Sequence, residues 1–379
     1  MKIAIDAGIG LSSFEKGGIY YLLPDFLNTL GSIDMENEYI IFGYFLRDYF
    51  EKVRKLEIPC FKNFSTKIFP IPGKLVKIIE KNFKINFIEF LLRKEKISIY
   101  HSISATYLPN FKNVKTIYTV HDLSFEFNPE FFKDKWYIDV KNGVLKSDVV
   151  IVPSYSTKRD LIEFYKISED KIKVIYWGID RTIFKPVDKE VVQERLKKYF
   201  EFTKYILTVA TSIKRKNIPF LLDVYKMLKG KKIEEKLIII AGTDYLKVEI
   251  LKLAKEKNIK DILCFSEVPK EDMPFFYSGA ELFVFLSLYE GFGLPVIEAM
   301  TCGTPVIISN VSSLPEIVGE GGIKIDPYDL DEAYDKILEI LKNEKLKTEM
   351  REKAIERSKL FSWEKCIKET LKIYENIYN

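Results

Sequence analysis

The sequence has few of the residues that build metal centres and disulfide frameworks. Its 379 residues include only four cysteines and two histidines. The cysteines, at positions 60, 264, 302 and 366, are far apart and form no C-x-x-C pair. That usage is typical of a cytosolic protein, and it argues against a structural metal cluster or a disulfide-stapled fold.

Long apolar runs and a strong charge imbalance are also absent. No run of about 18 apolar residues occurs, so we expect no membrane-spanning helix. The first six residues (MKIAID) predict a strand and not a secretion signal. The net charge is +4, from 59 basic and 55 acidic residues, which is too small to indicate a nucleic-acid partner. We therefore expect a cytoplasmic protein.

The sequence is rich in short apolar runs that alternate with amphipathic helical stretches. This alternation predicts βαβ units and parallel sheets, hence an α/β fold. Thirteen strands are too many for one ordinary open sheet. The predicted strands are residues 2–6, 39–44, 67–71, 97–101, 116–121, 149–153, 173–176, 205–210, 237–241, 262–265, 282–286, 305–309 and 323–325.

We therefore predict two doubly wound domains and a final helix. The first domain covers residues 1–182 and the second covers residues 183–361. The last helix covers residues 362–379, with Ser362 as its N-cap. In open α/β sheets, ligands bind outside the carboxyl ends of the strands, so the candidate residues are those that follow strands.

A strand–turn–helix segment in the second domain has the clearest chemical signal. An apolar strand leads into Glu290, Gly291 and Gly293, and then into a helix with Glu298. The glycines allow close backbone approach to a ligand, and the N–H groups at the helix start attract an anion. Glu298 could accept both hydroxyls of a ribose, although a glutamate in the first helical turn is also ordinary dipole compensation.

The residues around this segment resemble the family 4 retaining glycosyltransferases, which have the GT-B fold, and among them the mannosyl- and rhamnosyltransferase-like group 1 enzymes. Glu290 and Glu298 match the E-x7-E motif of that family. The matching stretches are residues 289–300 (YEGFGLPVIEAM), 302–306 (CGTPV) and 312–316 (SSLPE). The resemblance implies two Rossmann-like doubly wound domains facing a cleft, with the last helix crossing back to the first domain.

The resemblance also implies how a nucleotide diphosphate sugar would be bound. Glu298 would hold the ribose, and Glu290 would hold hydroxyls of the transferred sugar near its anomeric carbon. The loop at Val268 would contact the nucleobase. The diphosphate and the sugar would be held by four consecutive residues: Gly291, Phe292, Gly293 and Leu294.

Basic residues follow the strand predicted at 205–210. Arginine offers a forked donor and lysine a point charge, which suit a diphosphate leaving group, although a solvated basic loop is the plainer interpretation. By resemblance, Arg215 and Lys216 neutralise the leaving group. The chain departs from the family just upstream, because many members have Gly-Arg where it has Ala210 and Thr211.

The first domain contributes two further candidate positions. Gly17 and Gly18 precede a predicted helix and would offer amides to an anion; by resemblance they approach the donor phosphate and the acceptor. The dinucleotide fingerprint fails, because Ser13 stands where the third glycine belongs. His121 ends a strand and resembles the family histidine that contacts the transferred sugar, although a histidine here is more often structural. His101 is an acceptor-side candidate, with packing the plainer interpretation.

Residues 73–96 predict a basic amphipathic helix. They include seven basic and three acidic residues among apolar ones. Such a helix can lie on an anionic leaflet, but the pattern is more often that of a surface helix with its apolar face in the core. Peripheral contact with the inner face of a membrane is therefore an open expectation.

We expect a retaining hexosyltransferase of polysaccharide biosynthesis. It would move a mannose- or rhamnose-like sugar from a nucleotide diphosphate sugar to a glycan or lipid-linked acceptor. With no Asp-x-Asp motif at a strand end, we expect no metal or other cofactor. His121, Glu290 and Lys216 would act at the reaction centre. The alternatives are a non-catalytic nucleotide-sugar-binding protein, a phosphorylase- or synthase-like enzyme on the same fold and, disfavoured by the failed fingerprint, a dehydrogenase.

Overall fold

The structure is a computed structural model that describes residues 1–7, 18–44, 58–83, 86–103, 107–127 and 137–379. The chain forms two compact units. Unit 1 comprises Met1–Gly178 and Ser362–Asn379, and unit 2 comprises Ile179–Phe361. The division falls after Gly178, whereas the sequence analysis placed it after residue 182. The Arg181 guanidinium donates to the carbonyl oxygen of Ser358 at 2.5 Å, which ties the intervening residues to unit 2.

Unit 1 is built on a parallel sheet of seven described strands in the order β3-β2-β1-β4-β5-β6-β7. Ile3 pairs with Tyr39 of β2 on one side and with Ile99 of β4 on the other, so β1 lies in the interior of the sheet. The strands are β1 (Lys2–Asp6), β2 (Glu38–Tyr44), β3 (Phe64–Phe69), β4 (Ile99–Ser102), β5 (Lys115–Thr119), β6 (Val149–Val152) and β7 (Ile172–Val174).

Unit 2 repeats this arrangement with six described strands in the order β10-β9-β8-β11-β12-β13. Its central strand β8 pairs with β9, where Tyr205 lies opposite Lys236, and with β11, where Ile206 lies opposite Leu282. The strands are β8 (Tyr205–Val209), β9 (Lys236–Ile240), β10 (Ile262–Phe265), β11 (Leu282–Phe285), β12 (Val306–Ser309) and β13 (Ile323–Ile325).

All thirteen predicted strands are present. In each sheet, the direction in which successive strands are added reverses once. The strand order turns at β1/β4 in unit 1 and at β8/β11 in unit 2. The central strands are buried on both faces, which explains their continuous apolar runs. The α/β prediction of two doubly wound, Rossmann-like sheets is confirmed. The crevice beside each reversal point is the place where such sheets bind ligands.

The helices of unit 1 confirm the predicted N-cap at Ser362 and correct one helix. The Ser154 and Ser362 hydroxyls accept from the backbone N–H groups of Thr157 and Lys365, respectively. The helices are α1 (Gly18–Ile33), α2 (Gly73–Phe83), α3 (Phe87–Leu92), α4 (Ser124–Phe127), α5 (Tyr137–Lys146) and α6 (Tyr155–Tyr165), with α15 (Trp363–Tyr378) from the C-terminal end.

The single helix predicted over residues 73–96 is wrong, because two helices and a short 3-10 turn stand there. Asn86 has a non-helical ψ of 75° and begins the second helix. The buried carboxylate of Glu80 accepts from the Ile88 N–H at 3.0 Å and from the Tyr107 hydroxyl at 3.0 Å. A carboxylate anchored in this way replaces the helical hydrogen bonds that a continuous helix would need.

Unit 2 holds the remaining described helices, which cover both faces of its sheet. The helices are α7 (Lys189–Leu196), α8 (Ile218–Gly230), α9 (Asp244–Glu256), α10 (Met273–Gly279), α11 (Leu294–Thr301), α12 (Leu314–Val318), α13 (Leu330–Lys342) and α14 (Glu344–Ser358). Across the described parts of both units, no helix has the length and apolar character needed to cross a bilayer.

The last helix, α15, is anchored in unit 1. Its Tyr374 hydroxyl lies 2.7 Å from Nδ1 of His101, at the end of β4, and Nε2 of His101 lies 2.8 Å from the Thr119 hydroxyl. A Cβ atom on Gly178 would stand 2.1 Å from the backbone nitrogen of Trp363, so only glycine allows the start of the helix to pack there. Both ring nitrogens of His101 are therefore used in packing.

Candidate active site

Two loops meet at the reversal point of the unit 2 sheet. One follows β8 and contains Arg215 and Lys216, and the other follows β11 and contains Glu290. The Leu288 N–H donates to the carbonyl oxygen of Arg215 at 2.8 Å, which joins the two loops. The predicted candidates from two distant stretches of sequence therefore lie together beside the crevice of the sheet.

A cluster of two cations and one carboxylate lies at this junction, with Lys216 and Glu290 buried and Arg215 half-buried. The same oxygen of Glu290, Oε1, accepts from Nη1 of Arg215 at 2.8 Å and from Nζ of Lys216 at 2.6 Å. Glu290 is 8% exposed and Lys216 is 6% exposed. The interpretation of this segment as a solvated basic loop is therefore wrong for Lys216, because a buried ammonium requires an anionic or strongly polar partner.

Each cation has a second support that does not involve the carboxylate. Nη1 of Arg215 also donates to the Tyr289 carbonyl oxygen at 3.2 Å, and Nη2 donates to the Thr211 hydroxyl at 3.3 Å. Nζ of Lys216 lies 4.2 Å from the centroid of the Phe285 ring, a cation–π contact. Thr211, which stands where many family members have an arginine, thus supplies an acceptor that orients Arg215.

The charge state of Glu290 follows from these partners. Burial by itself raises the pKa of a carboxyl group, but Arg215 and Lys216 outweigh it and hold the pKa of Glu290 below its ordinary value. Glu290 is therefore ionised at neutral pH. A carboxylate stabilised in this way is a weak base and a weak nucleophile.

The backbone after Glu290 is shaped by a glycine turn. Gly293 has a φ of +104°, and a Cβ atom there would stand 2.9 Å from the Leu314 side chain. Helix α11 starts at the next residue, has a proline in its first turn and has no acidic residue there. The partial positive charge of its N-terminus is thus not offset by a first-turn carboxylate, and the segment Gly291, Phe292, Gly293 and Leu294 lies beside it.

Two serines that the sequence analysis left without a role hold this turn in place. The Ser312 hydroxyl accepts from the Glu290 N–H at 3.0 Å. The Ser313 hydroxyl lies 2.9 Å from the Glu290 carbonyl oxygen and 3.0 Å from that of Phe292. The sequence marked these serines only as part of residues 312–316 (SSLPE), one of the stretches that resemble the family. It did not indicate which backbone groups they bind.

Glu298 has surroundings different from those of Glu290. It is half-buried on α11, and its Oε2 accepts from the Tyr277 hydroxyl of α10 at 2.7 Å. Tyr277 is fully buried, and burial followed by the nearby Glu298 raises its pKa well above the ordinary value. The two carboxylates of the motif thus have separate partners, and Tyr277 is a contact that the sequence analysis missed.

The remaining donor candidate, Val268, lies at the same edge of the sheet. It follows β10, which runs parallel to β9, as β9 does to β8, so the carboxyl ends of all three strands lie on one side. Val268 is half-buried. The structure thus places it on the ligand-binding edge, two strands away from the cation pair.

The first-domain candidates belong to unit 1. Gly18 is the first residue of α1, and Gly17 lies outside the described residues. His121 follows β5, and its Nε2 lies 2.7 Å from the Ile103 carbonyl oxygen. A carbonyl only accepts, so Nε2 carries the proton. Burial lowers the pKa of His121, which favours the neutral ring.

Among the residues that the structure describes, no group of three or more His, Cys, Asp or Glu side chains is arranged to hold a metal ion. The groups that the unit 2 site offers to a ligand are instead two cations, two carboxylates with separate partners, and the start of a helix. Such a set suits a polyanionic ligand that also carries hydroxyl groups.

The fold and this site define a glycosyltransferase of the GT-B class. Residues 192–357 match the family model described as glycosyl transferases group 1, and residues 52–182 match the model described as glycosyltransferase family 4. O-antigen chain mannosyltransferase B of Escherichia coli is 31% identical over 290 residues, which cover 75% of this chain and 76% of that protein. The chain therefore belongs to the group 1, family 4 glycosyltransferases.

Solved structures show the same fold. Sucrose-phosphate synthase from Thermosynechococcus elongatus aligns with a TM-score of 0.78 at 21% identity, covering 100% of this chain and 99% of that one. HepE of Anabaena, in complex with UDP and glucose, aligns with a TM-score of 0.73 at 16% identity, covering 99% and 100%. The predictions of a GT-B fold and of a glycosyltransferase are confirmed. The non-catalytic and phosphorylase-like alternatives gain no support.

Proposed function

We propose that this glycosyltransferase moves a mannose- or rhamnose-like hexose from a nucleoside diphosphate sugar to a glycan or lipid-linked acceptor in polysaccharide biosynthesis. The observation that carries the proposal is the pairing of Arg215 and Lys216 beside the N-terminus of α11. The name of the Escherichia coli relative supports mannose as the sugar.

The chemistry of the leaving group assigns the cations their task. A nucleoside diphosphate develops negative charge as the glycosidic bond breaks, and preorganised cations and helix amides stabilise that charge without reorganising. Arg215 and Lys216 provide two positive charges with fixed geometry, and the residues 291–294 provide main-chain groups. We therefore propose that the reaction needs no bound metal.

The two carboxylates serve the donor in different ways under this proposal. Glu298, oriented by Tyr277, holds the ribose diol, and Glu290 holds hydroxyls of the transferred sugar. A glycosidase-like double displacement needs one carboxylate as nucleophile and one as acid. Glu290 instead pairs with two cations, which makes it a poor nucleophile. This favours attack by the acceptor on the same face of the sugar that the diphosphate leaves. The configuration would be retained, and the acceptor proton would pass to the leaving phosphate.

The residues of unit 1 complete the proposal. His121, with Nε2–H donated to Ile103, would present Nδ1 as an acceptor toward the transferred sugar. Gly17 and Gly18 would approach the donor phosphate and the acceptor. Val268, in unit 2, would contact the nucleobase through its backbone.

Thermal-shift screening with GDP-, UDP-, ADP- and dTDP-linked sugars tests the donor site. We expect one nucleotide series to raise the melting temperature, and Arg215→Met/Lys216→Met to abolish the shift. Lys214→Met is the matched control, because Lys214 is an exposed neighbour of the same charge. If no nucleotide sugar stabilises the wild-type protein, the proposed donor site is wrong.

Turnover with the stabilising donor then tests the reaction. We expect product of retained anomeric configuration by NMR, and an unchanged rate after addition of EDTA. Inverted product would refute the same-face mechanism. A rate that depends on an added divalent cation would refute the proposal of metal independence.

We propose further that unit 1 contacts an anionic membrane surface. Leu75 and Ile78 on α2 and Phe90 on α3 are 45%, 50% and 51% exposed. Lys74 precedes Leu75 in the sequence, and the Arg93 guanidinium lies over the Phe90 ring. The opposite sides of these helices are buried in the core, so the exposed apolar residues remain for a partner. Exposed apolar groups between cations suit the boundary of an anionic leaflet.

Vesicle flotation at low salt tests the membrane contact. We expect binding to vesicles that contain phosphatidylglycerol and not to pure phosphatidylcholine, and weaker binding of Leu75→Ser/Ile78→Ser. Val248→Ser is the control, since Val248 is 61% exposed on α9 of unit 2. If Leu75→Ser/Ile78→Ser binds the anionic vesicles as well as Val248→Ser does, the proposed membrane contact is wrong.

A further inference from the structure

The Glu290 carboxylate pairs with the two cations that the proposed reaction needs for the diphosphate of the donor. One carboxylate oxygen accepts from both Arg215 and Lys216, at 2.8 and 2.6 Å. Keeping a buried Lys216 and a half-buried Arg215 side by side without an anion is costly, and Glu290 lowers that cost in the ligand-free protein. The cluster then retains a formal charge of +1.

Each cation also has a contact besides Glu290. The guanidinium of Arg215 is also bound by the Tyr289 carbonyl and the Thr211 hydroxyl, and the ammonium of Lys216 lies over the Phe285 ring. Since both cations share a single carboxylate oxygen, one side-chain rotation of Glu290 would release both at once.

Carboxylate and phosphate oxygens compete for the same donors. Both accept charge-assisted hydrogen bonds from guanidinium and ammonium groups. A carboxylate that stayed on Arg215 and Lys216 would also repel an incoming diphosphate, because like charges placed together in a binding site are strongly unfavourable.

We propose that Glu290 is an internal stand-in for the diphosphate of the donor: it holds Arg215 and Lys216 in the free enzyme and leaves them when a nucleoside diphosphate binds. This inference rests on the proposed function, which assigns the diphosphate to these two residues. Once displaced, the carboxylate is available to accept hydroxyl groups of the transferred sugar.

Removal of an ordinary binding residue weakens ligand affinity, whereas the stand-in role predicts that removal of the Glu290 charge strengthens the affinity for a nucleoside diphosphate. Glu290→Gln keeps the shape of the side chain but removes the competing charge. It should bind a nucleoside diphosphate more tightly than the wild type, by roughly tenfold or more, given the cost of like charges at close range. Sugar transfer by the same variant should fall.

Calorimetric titration with GDP, UDP, ADP and dTDP measures this effect without a contribution from the sugar. Glu320→Gln is the charge-matched control, because it removes one negative charge from unit 2 at a side chain that is 97% exposed and pairs with Lys324. We expect tightening for Glu290→Gln alone. In a Lys216→Met background the gain should shrink, because one of the two released cations is missing.

The outcomes separate the inference from the proposed function. If the wild type binds a nucleoside diphosphate but a folded Glu290→Gln variant binds it equally or more weakly, the stand-in role is wrong and the donor site stands. If the wild type binds none of the four, the proposed function falls and takes the inference with it.

A structure of the wild-type protein with the bound nucleoside diphosphate gives an answer that does not depend on the folding of a variant. We expect phosphate oxygens in place of Oε1 of Glu290 on both Arg215 and Lys216. Persistence of both bonds to Glu290 beside the bound phosphate would contradict the exchange.

Discussion

Acidification should weaken the attachment of the last helix, because a neutral histidine is built into the contact. His101 is 1% exposed, and both of its ring nitrogens are engaged, by Tyr374 of α15 and by Thr119 of β5. Burial, with a smaller contribution from His121, lowers the pKa of His101 from its ordinary 6.5 to about 3. The folded protein thus favours the neutral ring, and protonation favours the unfolded chain.

The sign and the size follow from this pKa difference. The contribution of His101 to stability is fully present above pH 6.5 and is lost as the pH falls towards about 3. The loss is about 1.4 kcal/mol per pH unit in that window, so between pH 7.5 and 5.0 it amounts to roughly 2 kcal/mol. The lowered pKa of His121 acts in the same direction. Carboxylates with lowered pKa values, such as Asp34, lose their contribution only below the ordinary carboxyl range.

Urea unfolding at pH 7.5 and pH 5.0, followed by tryptophan fluorescence, measures this loss. All three tryptophans fall within the sequence ranges of unit 1, so the signal reports on the unit that holds His101. We expect His101→Gln to be less stable at pH 7.5 but to lose roughly 2 kcal/mol less than the wild type on acidification. His121→Gln is the comparison variant, because it loses its own share and the smaller part that His121 adds to His101 but keeps the main share of His101, which comes from burial. An unchanged pH dependence in His101→Gln would refute the reasoning.

Three further predictions concern unit 2. Gly293→Ala should destabilise the protein by about 1–3 kcal/mol and weaken donor binding, because φ is +104° and Cβ would press on Leu314; thermal melting with and without nucleotide measures both effects. Lys216→Met should keep the fold but weaken nucleoside diphosphate binding by roughly tenfold or more, measured by calorimetry, and unchanged affinity would exclude it from the diphosphate site. Tyr277→Phe frees Glu298 from its orienting hydroxyl and should raise KM for the donor severalfold with little change in kcat; a fall in kcat alone would place Glu298 at the reaction centre instead.

Most of the fold followed from local patterns. Apolar runs of strand length, separated by amphipathic stretches, predicted all thirteen strands, and Ser362 marked the start of the last helix through a hydroxyl that accepts from the backbone N–H three residues on. Such signals involve residues close in sequence, where backbone geometry links spacing directly to structure. The helix predicted over residues 73–96 failed because a long-range contact decided it. The buried Glu80 carboxylate binds the start of a second helix and a tyrosine 27 positions away.

The candidate site shows the same division. The turn between Glu290 and Glu298, with its glycines and the helix behind it, was evident from the sequence because it is one continuous segment. By contrast, the sharing of one Glu290 oxygen by Arg215 and Lys216 joins residues 75 and 74 positions apart. No spacing rule predicts which oxygen takes which donor at that separation. Only the parallel pairing of β8 with β11 brings the two loops together.

By itself, the sequence of this glycosyltransferase determined its two α/β sheets, its family and the segment from Glu290 to Glu298, since each depends on neighbouring residues or on a continuous motif. Tertiary structure alone decided that Glu290 is bound by a buried lysine and a half-buried arginine, that Tyr277 holds Glu298, and that His101 anchors the last helix across 273 positions of sequence. The physical reason is that charge state and hydrogen-bond partners depend on burial and proximity in space, and strand order sets both.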